Sequence, residues 1–277
     1  MNKKIFSLFI LCLSVSVLSG FTPAQNLKRT VYKTEAIEFG VGGTMTIVGA
    51  PKGSITVEGW SQNKVEVSAE IEIDGDSEAD LAEIAQVTGF ALDDQFGHIR
   101  LFSLGMHDKD YLKRAAKKFP KRLLNNSFRI NYSIKVPQFC DLNINSGTGE
   151  LNLSKVEGAF QIKAVQGDAK LDLIGGLINA TFGSGNVDIK IHSRSWRGRQ
   201  AAFQLASGTL NVRFPQNMNA EIDASVLRGG KIENSLPALK PRDRSKFSET
   251  LMLARAGNGG ALLSFTVGEG TLKMSNW

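Results

Sequence analysis

From Gly149 to Ile191 the chain alternates apolar and polar residues in short runs, and every run restarts on a glycine. Gly149, Gly158, Gly167, Gly176 and Gly185 stand nine residues apart. The second and fourth residues after each are apolar: Leu151 and Leu153, Phe160 and Ile162, Ala169 and Leu171, Ile178 and Ala180, Val187 and Ile189. The residues between them, among them Asn152, Gln161, Lys170, Asn179 and Asp188, are polar. Period-two alternation puts one set of side chains on one face of a strand, and glycine permits the positive φ that a tight corner uses. A fixed period of strand-length units predicts a stacked repeat. Nine residues make a strand and a turn, and two such units make a coil with two sides. The expected fold is all-β: a parallel, two-sided β-solenoid of about 18 residues per coil with short helical insertions. Leu151, Leu153, Phe160, Ile162, Leu171, Leu173, Ile178, Val187, Ile189 and Ile191 should form its core, with Glu150, Lys170 and Asp188 outside.

The rhythm continues beyond this stretch. Gly208, Gly230 and Gly270 lead similar runs, as do Gly43, Gly53 and Gly97 upstream. Longer alternating runs cover Val65–Ile73 and Phe128–Val136. The segments GSITVEGW (53–60), FRINYSIKVPQFCDLNINSGTGELNL (128–153), VQGDAKLDL (165–173), GSGNVDIKI (183–191), ASGTLNVRFP (206–215) and GEGTLKM (268–274) carry a resemblance. They resemble the bacterial putative-adhesin family of extracytoplasmic β-solenoids, with its GIN-type head domain, over residues 35–275. Members of that family carry V-N-G-D-V or S-G-D-I corners, which are looser here. The resemblance implies an exported solenoid. The family has no established common activity, so no catalytic residue carries over.

The ends and the composition fit export. Lys3 and Lys4 precede an apolar stretch from Ile5 to Leu18, and Thr22-Pro23-Ala24 before Gln25 suits signal cleavage. Residues 1–24 are expected to be a signal peptide, and 25–277 a single domain with insertions near 74–96 and 105–127. The apolar stretch is shorter than the about 20 residues a spanning helix takes, and no cysteine follows Leu18-Ser19-Gly20 for lipid attachment. Loss of Lys3 and Lys4 lowers the net charge from +6 to +4. That balance is mildly basic and gives no argument for nucleic acid. Cys140 is the one cysteine after the signal, so no intrachain disulfide forms. It shares parity with Leu142 and Ile144 and should be a buried core thiol.

Three irregularities interrupt the repeat. In the first insertion Ser77 and Asp80 form a capping-box arrangement ahead of an apolar stripe, Leu81, Ile84 and Ala85. Asp74, Asp76, Glu78 and Asp80 alternate, but Ala79 and Ala85 stand where a calcium loop needs glycine and glutamate. In the second, Leu112, Ala115, Ala116 and Phe119 mark one helix face over 109–119. Lys109, Lys113, Arg114, Lys117 and Lys118 mark the other face, and Lys121 and Arg122 follow Pro120. Such a helix either covers the solenoid or contacts an anionic surface. The third, Ser193–Arg199, holds Arg194, Trp196, Arg197 and Arg199, which is either a loop with its tryptophan packed locally or a combination suited to stacking on a sugar or binding a phosphate. Residues 240–246 form another basic loop.

Catalytic patterns are missing. His98, His107 and His192 are scattered, with no HExxH, zinc spacing or G-x-S-x-G. Asp168, Asp172 and Asp188 are the carboxylates a carbohydrate-active β-helix enzyme would use. Trp277 after a strand resembles the end of an outer-membrane barrel, but the nine-residue period leaves strands too short for one. The expected function is a non-enzymatic exported scaffold in the periplasm or at the cell surface, without cofactor or metal. Its binding, adhesin-like or structural role would engage an envelope protein, a glycan or an anionic membrane surface. The alternatives are the β-helix enzyme and a membrane-surface module using residues 109–122.

Overall fold

The computed structural model describes residues 27–237, 239–242 and 246–277; the expected signal peptide lies outside them. The chain begins with β1 (Leu27–Glu38), β2 (Thr44–Val48), β3 (Ile55–Trp60) and β4 (Lys64–Gly75). Helix α1 (Glu78–Val87) leads to β5 (Gly89–Gln95) and β6 (His98–Leu104). Helix α2 (Lys109–Ala115) and a 3-10 turn, Lys121–Asn125, lead to β7 (Phe128–Pro137). The repeat follows as β8 (Asp141–Thr148), β9 (Leu151–Ser154), β10 (Ala159–Gln166), β11 (Ala169–Leu173), β12 (Leu177–Ile191), β13 (Gln200–Phe214) and β14 (Ala220–Asn234). Last come β15 (Lys240–Pro241), β16 (Leu251–Ala256) and β17 (Leu262–Asn276). These strands share one hydrogen-bonded sheet, and the fold is all-β.

Across the repeat the pairing is parallel, with each partner one 18-residue period away. Leu142 lies beside Phe160, and Phe160 beside Ile178. Leu151 lies beside Ala169, and Ala169 beside Val187. The first half of β12 pairs with β10 and its second half with β11, so each unit has two arms that meet at a corner. β13 keeps this register although its unit is longer, Ile178 meeting Ala201. β17, the last strand in sequence, lies in parallel between β13 and β14.

The sheet is not parallel throughout, which corrects the expectation of a purely parallel solenoid. β4 runs antiparallel to both β1 and β7, β5 to β6, and β16 to both β14 and β15. For β5 and β6 the cause is connection length. Phe96 and Gly97, at φ 47 and 82, reverse the chain between β5 and β6 in the manner of a two-residue hairpin. Such a turn can make only an antiparallel neighbour, because a parallel one needs a longer crossover.

Glycine sets the corners by steric necessity as well as by backbone freedom. Gly149, Gly167, Gly185 and Gly208 stack in one column at φ 151, 136, 140 and 133. A Cβ on Gly185 would lie 2.1 Å from the carbonyl oxygen of Gly167, and one on Gly167 would lie 2.0 Å from that of Gly149. Gly158, Gly176 and Gly198 stack in a second column, where a Cβ on Gly176 would lie 2.1 Å from Gly158 O. The nine-residue rhythm is therefore two 18-residue columns in alternation.

The ten expected core residues are all at most 2% exposed, and Glu150, Lys170 and Asp188 face solvent. Cys140 is buried, and burial pushes its thiol up to about 12. The first insertion folds as read from the sequence: Ser77 Oγ accepts from Asp80 N–H at 3.2 Å, and Leu81 and Ile84 are buried. The strand pattern intrudes further than expected, since β4 reaches Gly75 and β5 starts at Gly89.

Candidate functional site

The basic segment is shorter and better anchored than its periodicity suggests. Asp108 caps α2 by accepting from the N–H groups of Asp110 and Tyr111 at 3.0 and 2.9 Å. The helix ends at Ala115, and Ala116 leaves helical geometry at φ −142, so the expected helix to residue 119 is not formed. Leu112 is buried, Ala116 and Phe119 pack half-buried on the core, and Ala115 is exposed. The predicted four-residue stripe is thus broken, because only two turns of helix exist to carry it. Lys109, Lys113, Arg114, Lys117, Lys118 and Lys121 are exposed. Lys113 bonds Asp110 at 3.0 Å. Arg122 bonds the carboxylate of Asp80 at 2.5 Å, where the Asp80 side chain is only 5% exposed. That bond holds the Asp80 carboxyl below the usual carboxylate range, and it ties the two insertions together.

The arginine-tryptophan segment is a widened corner. Trp196 is buried, and its indole N–H donates to Gly176 O at 2.9 Å, beneath the second glycine column. Arg197 pairs with Glu157 at 3.0 Å. Arg199 is exposed, and Arg194 donates from Nε to Asn217 O at 3.1 Å. The four residues that composition grouped together therefore point to separate places.

Charge divides the two arms of the repeat. On the second arm, Lys170 registers with Asp188, and Asp172 with Lys190. Lys170 bonds Glu150 at 3.0 Å, Arg213 bonds Asp188 at 2.9 Å and Lys155 bonds Glu58 at 2.6 Å. Asp168 accepts from Asn186 N–H at 2.9 Å. Glu58, Glu150, Asp168 and Asp188 each meet a cation or an amide, and Asp172 lies 3.6 Å from His192 Nε2. Among the described residues, no group of three or more His, Cys, Asp or Glu side chains could hold a metal ion.

The first arm is different. Its outward rows run Asn143, Gln161, Asn179, Ala202, Ser264 and Asn145, Lys163, Thr181, Gln204, Thr266 across β8, β10, β12, β13 and β17. Lys163 is the one charge in these two rows. Asn145, Gln161, Asn179, Thr181 and Gln204 are exposed, and none of their side chains bonds another protein group among the described residues. A shallow depression of about 290 Å³ lies on this face, bordered by Gln161, Asn179, Ala202 and the exposed Leu177. The sequence did carry a signal for this face. The polar residues after Gly158 and Gly176 are mostly amides and hydroxyls, while those after Gly167 and Gly185 are mostly charged. Treating every nine-residue unit alike concealed it.

No family model matches the chain, and no curated protein matches it. Several solved structures are similar. A putative cell adhesion protein from Clostridium sporogenes aligns with a TM-score of 0.49 and 13% identity, covering 90% of this chain and 100% of its own. A putative adhesin from Bacteroides fragilis aligns at 0.38 and 11%, covering 89% and 97%. A putative lipid binding protein from Parabacteroides distasonis aligns at 0.27 and 15%, covering 87% and 96%. At these scores the likenesses carry no argument about activity. Among the described residues no helix is long and apolar enough to cross a membrane.

Proposed function

We propose that this chain is a non-enzymatic, exported β-solenoid with an adhesin-like binding role in the cell envelope, and that its first-arm face is the contact surface. The parallel ladders at the 18-residue offset support the solenoid reading, and the leader at residues 1–24 supports export to the periplasm or cell surface. The contrast between the arms carries the reading. One face has satisfied its charges internally, while the other holds out unpaired amides and hydroxyls. Amides donate and accept together, so the matching partner is uncharged, rich in both donors and acceptors, and extended across several strands. A neutral glycan has that chemistry.

The test is retention of the mature protein on a panel of neutral polysaccharides. A Gln161→Ala, Asn179→Ala, Gln204→Ala triple variant should lose at least about tenfold in affinity, given roughly 0.5–1.5 kcal/mol per hydrogen bond. A Lys170→Ala, Arg213→Ala variant on the opposite arm should bind as the parent does. Retention that ignores the triple substitution, or its absence across the panel, overturns the reading.

One observation favours a second reading. Six cations stand exposed on the segment from Lys109 to Lys121, while Leu112, Phe119 and Leu123 turn inward. Contact with an anionic membrane would then be electrostatic, without apolar insertion. Binding to anionic vesicles would fall steeply with salt.

A further inference from the structure

Arg194 and Lys240, from the two basic loops separated by over forty residues of chain, line one cavity of about 510 Å³. It opens beside the crossover from β13 to β14 and the turn from β16 to β17. Among the described residues that line it there is no carboxylate. Neither cation has an ion-pair partner among the described residues, and Arg194 spends only its Nε on the protein, at Asn217 O. The side chains of Asn258 and Asn276 add amide groups at the rim, bonded to no protein group among the described residues. The lining is mixed: Pro215, Leu236, Pro237 and Leu239 supply its accessible apolar part, while Phe214 and Met218 are buried behind it.

We propose that this cavity binds a small organic anion with an apolar body, such as an aliphatic carboxylate. Among the described residues two unpaired cations and no counter-charge line the cavity, and they select the anionic head, since a guanidinium presents a planar fork that fits a carboxylate. The leucine and proline side chains of the lining take the tail. The site is far in chemistry from the amide-rich sheet face, and each can fail without the other.

Titration calorimetry of the mature protein with decanoate, decanol and inorganic phosphate tests it. Decanoate should bind with one-to-one stoichiometry and more weakly at high salt, with decanol and phosphate each at least about tenfold weaker. Lys240→Ala and Arg194→Ala should each weaken decanoate by about tenfold, with Arg194→Lys between them and the parent. Melting curves confirm that each variant is folded, and the exposed Lys240 gives a second route if Arg194→Ala does not fold. Equal binding of decanol means an apolar cleft, equal binding of phosphate means an anion patch, and either overturns the proposal. So do the absence of decanoate binding and indifference to Lys240→Ala.

Discussion

At Gly185 a single hydrogen atom separates a close-packed corner from a clash. The position combines φ 140 with a 2.1 Å approach to Gly167 O. An alanine there must move backbone, not a flexible side chain. Gly185→Ala should therefore destabilise the protein by at least about 3 kcal/mol. Gly229 is the control, since a Cβ there would meet nothing within 4 Å and its φ is not positive. Gly229→Ala should change stability by less than about 0.5 kcal/mol. Chemical denaturation of the pair measures both. Ser146 offers the opposite sign. It is 5% exposed, and its hydroxyl finds no hydrogen-bond partner among the described residues. A buried hydroxyl left unsatisfied costs about 1–3 kcal/mol, so Ser146→Ala should raise stability by about 1 kcal/mol. A lower denaturation midpoint for this variant would mean that the hydroxyl is bonded in solution.

At the scale of the element, the two insertions behave as one anchored unit. α1 offers Asp80 and the 3-10 turn after α2 offers Arg122. A carboxyl held below its ordinary range stabilises the fold above its unfolded pKa and ceases to do so as pH falls through the folded pKa. Arg122→Ala should lower the melting temperature at neutral pH, and the gap from the parent should close as the solution is acidified into the carboxylate range. A gap independent of pH would show that Arg122 acts only through packing. The helix itself was legible in the Leu112 spacing, but its end was not. The periodicity ran on to Phe119, whereas the chain leaves helical geometry at Ala116 and Phe119 still packs on the core. Trp196 teaches the same lesson. Its arginine neighbours allowed a ligand platform beside the plainer reading of a locally packed tryptophan, and the buried indole bonds Gly176 O.

At the scale of the molecule, the order of strands differs from the order of chain. β17 joins β13 to β14, which pair with it on either side. Removing residues 262–277 would leave two parallel edges open and strand β14, β15 and β16 outside the stack. Exposed edges of this kind promote association. The truncated chain should accordingly be insoluble, or lose β structure by circular dichroism; a soluble monomer of parental spectrum would argue against the observed order. The sequence alone determined the parity of the ten expected core residues between Leu151 and Ile191 and the place of the glycine corners among them, because side-chain alternation and steric limits at glycine are local properties; Val156, buried at an odd offset, escaped it. It also determined the cap of α1. Tertiary structure decided the antiparallel excursions, the place of β17, the charge contrast between the two arms, and the meeting of Arg194 with Lys240. Each of those depends on which distant segments become neighbours, and strand alternation is identical for a parallel and an antiparallel partner.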